Sequence, residues 1–104
     1  MLAMFEHTQG ISEVSFNKTI ILFCPLGNEH YTAHINVVFV PDKYMMDYLD
    51  EERYFKSLSG TRLIIEDLAD AVYTHYLNTY QPKNVKVTIF AENAAHFPVT
   101  VVKE

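Results

Sequence analysis

Over residues 13–24, Val14, Phe16, Ile20 and Leu22 alternate with Ser15, Asn17 and Thr19. A hydrophobic period of two predicts a half-buried β-strand. Pro25, Gly27 and Asn28 then predict a turn. Beyond it Tyr31, Ala33, Ile35, Val37 and Phe39 fall on one face of a second strand, with Thr32, His34 and Asn36 on the other. Pro41-Asp42 ends that run. Two such runs around a short turn predict an antiparallel hairpin. The period then lengthens. Met45, Tyr48, Leu49 and Phe55 predict a short amphipathic helix ending near Leu58, and Ser59-Gly60 interrupt it. Thr61 is the expected N-cap of a second helix, in which Ile65, Leu68, Ala69, Val72 and Tyr76 recur at spacings of three and four. Pro82 sets the end of that helix by moving Gln81 out of the helical region. Val85, Val87, Ile89 and Ala91 predict a third strand, alternating with Lys86, Thr88 and Glu92. A turn is expected at Asn93-Ala94, followed by a last strand carrying Phe97, Val99 and Val101. Pro98 marks that strand as an edge or a bulge.

The order ββααββ predicts an α+β layer, with two helices on one face of a four-stranded antiparallel sheet. Residues 1–12 read as a lead-in and residues 13–104 as a single domain. Such a sheet has two open edges, and edges invite pairing. A homo-oligomer that closes identical chains into a barrel through those edges is therefore expected.

Composition narrows the function. Of 104 residues 49% are hydrophobic and 20% charged, so the chain has apolar surface enough for a core and is not of a disordered type. A single cysteine forms no internal disulfide and no cysteine-based zinc site. Residues 1–10 include Glu6 and His7 and carry no basic start, which is unlike a signal peptide. No apolar run approaches the ~20 residues of a membrane helix. The expected location is the cytoplasm. Eight basic residues stand against 13 acidic ones, a net charge of −5. Arg53 and Arg62 are the only arginines. Nucleic acid and anionic membranes, both read through Lys and Arg, are disfavoured as partners.

Three groups of residues could carry chemistry. Cys24 ends a strand just before Pro25. It is either a small buried hydrophobe or a thiol that a base activates. Glu66 lies in "LIIEDLAD" at the start of the second helix, beside Ile64, Ile65 and Leu68. A first-turn acid is favoured by the helix dipole without any site. In a concave apolar setting the same carboxylate accepts two ring N–H donors from a purine- or pterin-like base. Glu29, His30 and His34 form the third group. Four residues apart on a strand, the two histidines have the wrong spacing for zinc, so they read as solvent-facing and no metal is expected. The seven tyrosines, mostly on the helices, are expected to pack over the sheet or between subunits.

The stretch "FCPLGNEHYTAHINVVFVPD", the later "IIEDLAD" and the two closing strands together resemble the tunnelling-fold family of 7-cyano-7-deazaguanine reductases and the small archaeal amidinotransferases related to them. The likeness spans residues 13–103. It implies a ββααββ subunit in an oligomeric barrel with sites between subunits. It implies that Cys24 attacks the nitrile carbon to give a thioimide, and that Glu66 holds the deazaguanine ring. Three positions depart from the family. Its proton-shuttling aspartate aligns with Tyr31, and Glu29, two residues earlier on the same face, is the candidate substitute. The histidine preceding the family's glutamate is Ile65. The NADPH-binding stretch of the reductases aligns with residues 47–52, whose acids would repel a phosphate-bearing cofactor. The amidinotransferases lack that stretch too, but they act on tRNA. A relative that keeps only a purine- or pterin-binding pocket fits the same residues. Tunnelling-fold enzymes that hold zinc with three histidines use a His-x-His strand motif, which is not found here.

Overall fold

The computed structural model describes residues 9–94 and 97–104. Residues 1–8 of the expected lead-in, and residues 95–96, lie outside the described residues. Four strands, β1 (Val14–Cys24), β2 (Glu29–Val40), β3 (Asn84–Ala94) and β4 (Phe97–Lys103), form one antiparallel sheet in the order β1-β2-β3-β4. Two helices, α1 (Tyr48–Leu58) and α2 (Ile65–Tyr80), follow β2 and pack on one face. The α+β ββααββ subunit is the one that the hydrophobic pattern predicts. Among the described residues no helix is long and apolar enough to cross a membrane.

The β1–β2 hairpin sets the register for everything else. Its turn closes with Asn28 in the left-handed region (φ 56°), where its N–H donates to the Cys24 carbonyl at 2.9 Å. Asparagine tolerates that conformation better than most side chains. The pairing then runs from Cys24↔Glu29 through Leu22↔Tyr31 to Val14↔Phe39. Leu22, Ala33, Val37 and Phe39 become fully buried under the helices. Phe39 meets both Tyr76 and Tyr80 edge-on, so these two tyrosines pack over the sheet within one chain.

Several local expectations are corrected. α1 begins at Tyr48 and not at Met45, because the Asp47 carboxylate accepts from the N–H groups of Leu49 and Asp50 and caps the helix there. Thr61 is not the N-cap of α2. Its carbonyl accepts from Phe23 N–H, its hydroxyl donates to the Leu58 carbonyl, and Arg62 bridges Phe23 in parallel. Residues 60–62 thus form a strap along the outer edge of β1, and α2 starts after it with no side-chain cap at Ile64. Gln81 does leave the helix as Pro82 predicts, in the left-handed region (φ 50°), and its N–H closes the last turn on the Leu77 carbonyl. Asn93 and Ala94 do not make the expected turn; they continue β3. Their register against β4 shifts between Ala91 and Ala94, so Pro98 sits on an edge strand beside a bulge.

The helix layer is fastened by one buried carboxylate. Glu51, 4% exposed, accepts from the Tyr80 hydroxyl at 2.7 Å and lies 3.0 Å from His75 Nε2. The His75 ring stacks on Tyr54, centroids 3.7 Å apart. Tyr76 buries its hydroxyl beside the same carboxylate without a hydrogen bond. Burial is the largest influence on Glu51 and alone would raise its pKa. The hydrogen-bonding His75 and Tyr80, the adjacent Tyr76 hydroxyl and the His75 charge together outweigh it and hold the carboxyl below the usual 4.5.

A carboxyl depressed in the folded state stabilises above the unfolded pKa, and that stability is lost as pH falls through the folded value. Glu51→Ala is expected to cost about 3 kcal/mol at pH 7, because it removes one partner of a buried pair. Tyr80→Phe is expected to cost roughly 1.5 kcal/mol, as befits a bond to a charged acceptor, and more than Tyr76→Phe. Urea unfolding at pH 7 and pH 3 measures both effects. The drop in stability on acidification should shrink in the Glu51 variant.

Candidate functional site

A cleft of about 630 Å³ opens where the β1–β2 turn, the start of α2 and the β3–β4 end of the sheet approach one another. Its size lies within the range of small-molecule sites. Cys24, Glu29, Tyr31, Ile65 and Glu66 all line it, so every site residue expected from the sequence reaches one cavity. All five stand within one chain.

Local folding explains each placement. Cys24 and Glu29 are register partners at the end of the hairpin, so their side chains emerge side by side on the same face. Cys24 is a half-buried free thiol. A Cβ placed on Gly27 would stand 4.0 Å from its sulfur, so the glycine leaves the turn side of the thiol uncovered. Glu66 is exposed in the first turn of α2, and Ile65 beside it is 5% exposed and belongs to the core. Ile65 offers the cleft an apolar wall.

Tyr31 is buried, and its hydroxyl donates to the Leu63 carbonyl at 2.5 Å. Burial, followed by the charges of Cys24, Glu66 and Asp67, pushes its pKa up to about 12. It therefore carries its proton at neutral pH and gives that proton to the main chain just before α2. Tyr31 is thus a strut between β2 and the α2 entry. Glu29 is the acid closest in register to Cys24.

None of residues 47–52 is basic. Asp47 caps α1, Asp50 pairs with Arg53 at 2.8 Å, and Glu51 is the buried fastener. His30 and His34 point to the face opposite the helices, where His30 meets Phe23 edge-on and His34 stacks on Phe90. Among the described residues no three His, Cys, Asp or Glu side chains gather as a metal site. The cleft also takes in Leu26, Asn93 and Phe97, which the sequence reading left without a role. Leu26 and Phe97 are 83% and 60% exposed, and they give the mouth an apolar rim. Asn93 has the composition of a turn residue, and only the bulge brings it to the cleft.

The sequence matches no protein-family model and no curated protein. Among solved structures it matches the crystal structure of the archaeosine synthase QueF-Like in the apo form, with a TM-score of 0.84 and 20% identity. The match covers 91% of this chain and 94% of that one. The chain has the tunnelling fold. At this identity the likeness speaks for architecture, and within the tunnelling fold the cleft must be read from its own residues.

Two measurements check the geometry. Cys24 should react with a small alkylating reagent in the native protein, and Gly27→Val should slow that reaction by crowding the sulfur. Tyr31→Phe should cost about 1 kcal/mol in urea unfolding, the worth of one neutral hydrogen bond.

Proposed function

We propose that the cleft binds a 7-deazaguanine nitrile, the 7-cyano-7-deazaguanine class of base, and captures it covalently on Cys24. The observation that carries this reading is the convergence of Cys24, Glu29 and Glu66 on one apolar, ring-sized cleft. Glu66 accepts the ring and amino N–H groups, as a carboxylate with two oxygens can. Cys24 adds across the nitrile. The S–C bond forms, one C–N π bond opens, and the thiol proton passes through Glu29 to the nitrile nitrogen, giving a thioimide. General acid–base help of this kind is worth about 10²–10⁴ in rate. The archaeosine synthase that shares the fold supports placing the chain near queuosine and archaeosine chemistry. A free thiol at the centre of the site suits a reducing compartment such as the cytoplasm. The edge strands β1 and β4 support a homo-oligomer in which copies join through the sheet.

A second reading, a purine- or pterin-binding protein without turnover, is favoured by Tyr31. A protonated strut replaces the acid that would process the adduct. Reduction with NADPH is no part of either reading, given the acids at residues 47–52.

Incubation with 7-cyano-7-deazaguanine and intact mass measurement tests the covalent step. Wild type should gain the mass of the base, Cys24→Ala should not, and Glu29→Gln should form the adduct about 100-fold more slowly. Glu66→Ala should lose calorimetric affinity for the base. Calorimetric binding without an adduct selects the second reading, and no binding rejects both. Added NADPH should leave the absorbance at 340 nm constant.

A further inference from the structure

The lining of the cleft bears on what becomes of an adduct once it has formed. Among the described residues that line it, Glu29 and Glu66 are carboxylates and none is a lysine or an arginine. Glu29 is exposed at the start of β2 and pairs with Cys24 across the hairpin. Gly27 leaves the turn side of the sulfur uncovered, and the rim residues Leu26 and Phe97 are exposed. Water therefore has access to the thiol and to the carboxylate together.

A thioimide is electrophilic at carbon, and its carbon stands wherever the sulfur stands. Attack by water on it needs a base nearby. Tyr31 keeps its proton, with a pKa pushed up to about 12, and gives its hydroxyl to the Leu63 carbonyl. His30 borders the cleft but turns its ring to Phe23 on the other face of the sheet. Glu66 is engaged by the heterocycle. Glu29 is left as the acid–base group beside the sulfur. Once it has passed the thiol proton to the nitrile nitrogen it is ionised again, which is the form a base requires.

We infer that the cleft hydrates the nitrile, with water as the co-reactant and a carboxamide as the product. This rests on the proposed function for the adduct and adds its fate. Glu29 takes a proton from water as the O–C bond forms. The C=N π pair moves to nitrogen, which receives that proton. The tetrahedral carbon then bears a hydroxyl, an amino group and the sulfur. The C–S bond breaks with its pair on sulfur, the hydroxyl oxygen closes to a carbonyl, and its proton returns through Glu29 to the thiolate. One water is added, nothing is oxidised or reduced, and the thiol is restored. A thiol of ordinary pKa about 8.5 leaves as its anion. An amine leaves only when protonated, and Glu29 serves the sulfur. A carboxylic acid product would also set a third negative charge beside Glu29 and Glu66, which like charges disfavour.

Incubation with 7-cyano-7-deazaguanine in water enriched in the heavy oxygen isotope, followed by mass measurement of base and protein, tests this. Wild type should release the carboxamide with one labelled oxygen over repeated turnovers, without NADPH or ammonium. Glu29→Gln, an isosteric change at an exposed position, should turn over at least about 100-fold more slowly. Its adduct should persist while that of wild type decays. A wild-type adduct that persists in water overturns the inference and leaves the covalent reading standing. So does release of the carboxylic acid, or conversion that requires NADPH or ammonium. Carboxamide formed equally fast by Cys24→Ala, or neither adduct nor carboxamide from wild type, overturns both.

Discussion

The site depends on the register of one hairpin. Because side chains alternate across a strand, a slip of one residue between β1 and β2 would turn Leu22 and Tyr31 out of the core and Cys24 and Glu29 away from the cleft together. The buried row from Ile20 to Phe39 resists that slip, since it would place a continuous apolar stripe in water. Cys24 and Glu29 are thus held by the same burial that holds the sheet. The Tyr31 hydroxyl extends the constraint to the helix layer, because its bond to Leu63 fixes where α2 begins and so where Glu66 stands.

Much of this was legible in the residues. Strict alternation in β1 and β2, and apolar spacings of three and four in α2, report local geometry that tertiary packing only reinforces. Cys24, Glu29, Tyr31, Ile65 and Glu66 all reach the cleft, because the first three lie near one turn and the last two open one helix. What stayed hidden depends on contacts distant in sequence. Thr61 has the chemistry of a cap, but the edge of β1 competes for its backbone and wins. Asn93-Ala94 has the composition of a turn, but β4 pairs with Ala94 and carries the strand past it. Phe97 showed as a strand residue and nothing more, while Asn93 and Leu26 left no periodic signal, since a bulge and an exposed rim follow no period.

The acids near the start of α1 show how one composition serves different ends. As a string, residues 47–52 are a block of negative charge. In the fold they are a cap, one side of an ion pair with Arg53 and a buried acceptor for Tyr80 and His75, with Glu52 left at the surface. The block anchors the helix layer.

The strap formed by residues 60–62 limits how copies can associate. It occupies the outer side of β1 alongside Ile21 and Phe23, where Gly60 N–H reaches the Ile21 carbonyl at 2.7 Å. A foreign strand arriving on that side can run beside Val14 to Ile20 but must halt before the strap. Were copies to join through this edge, the joint would be stepped at the Cys24 end of β1.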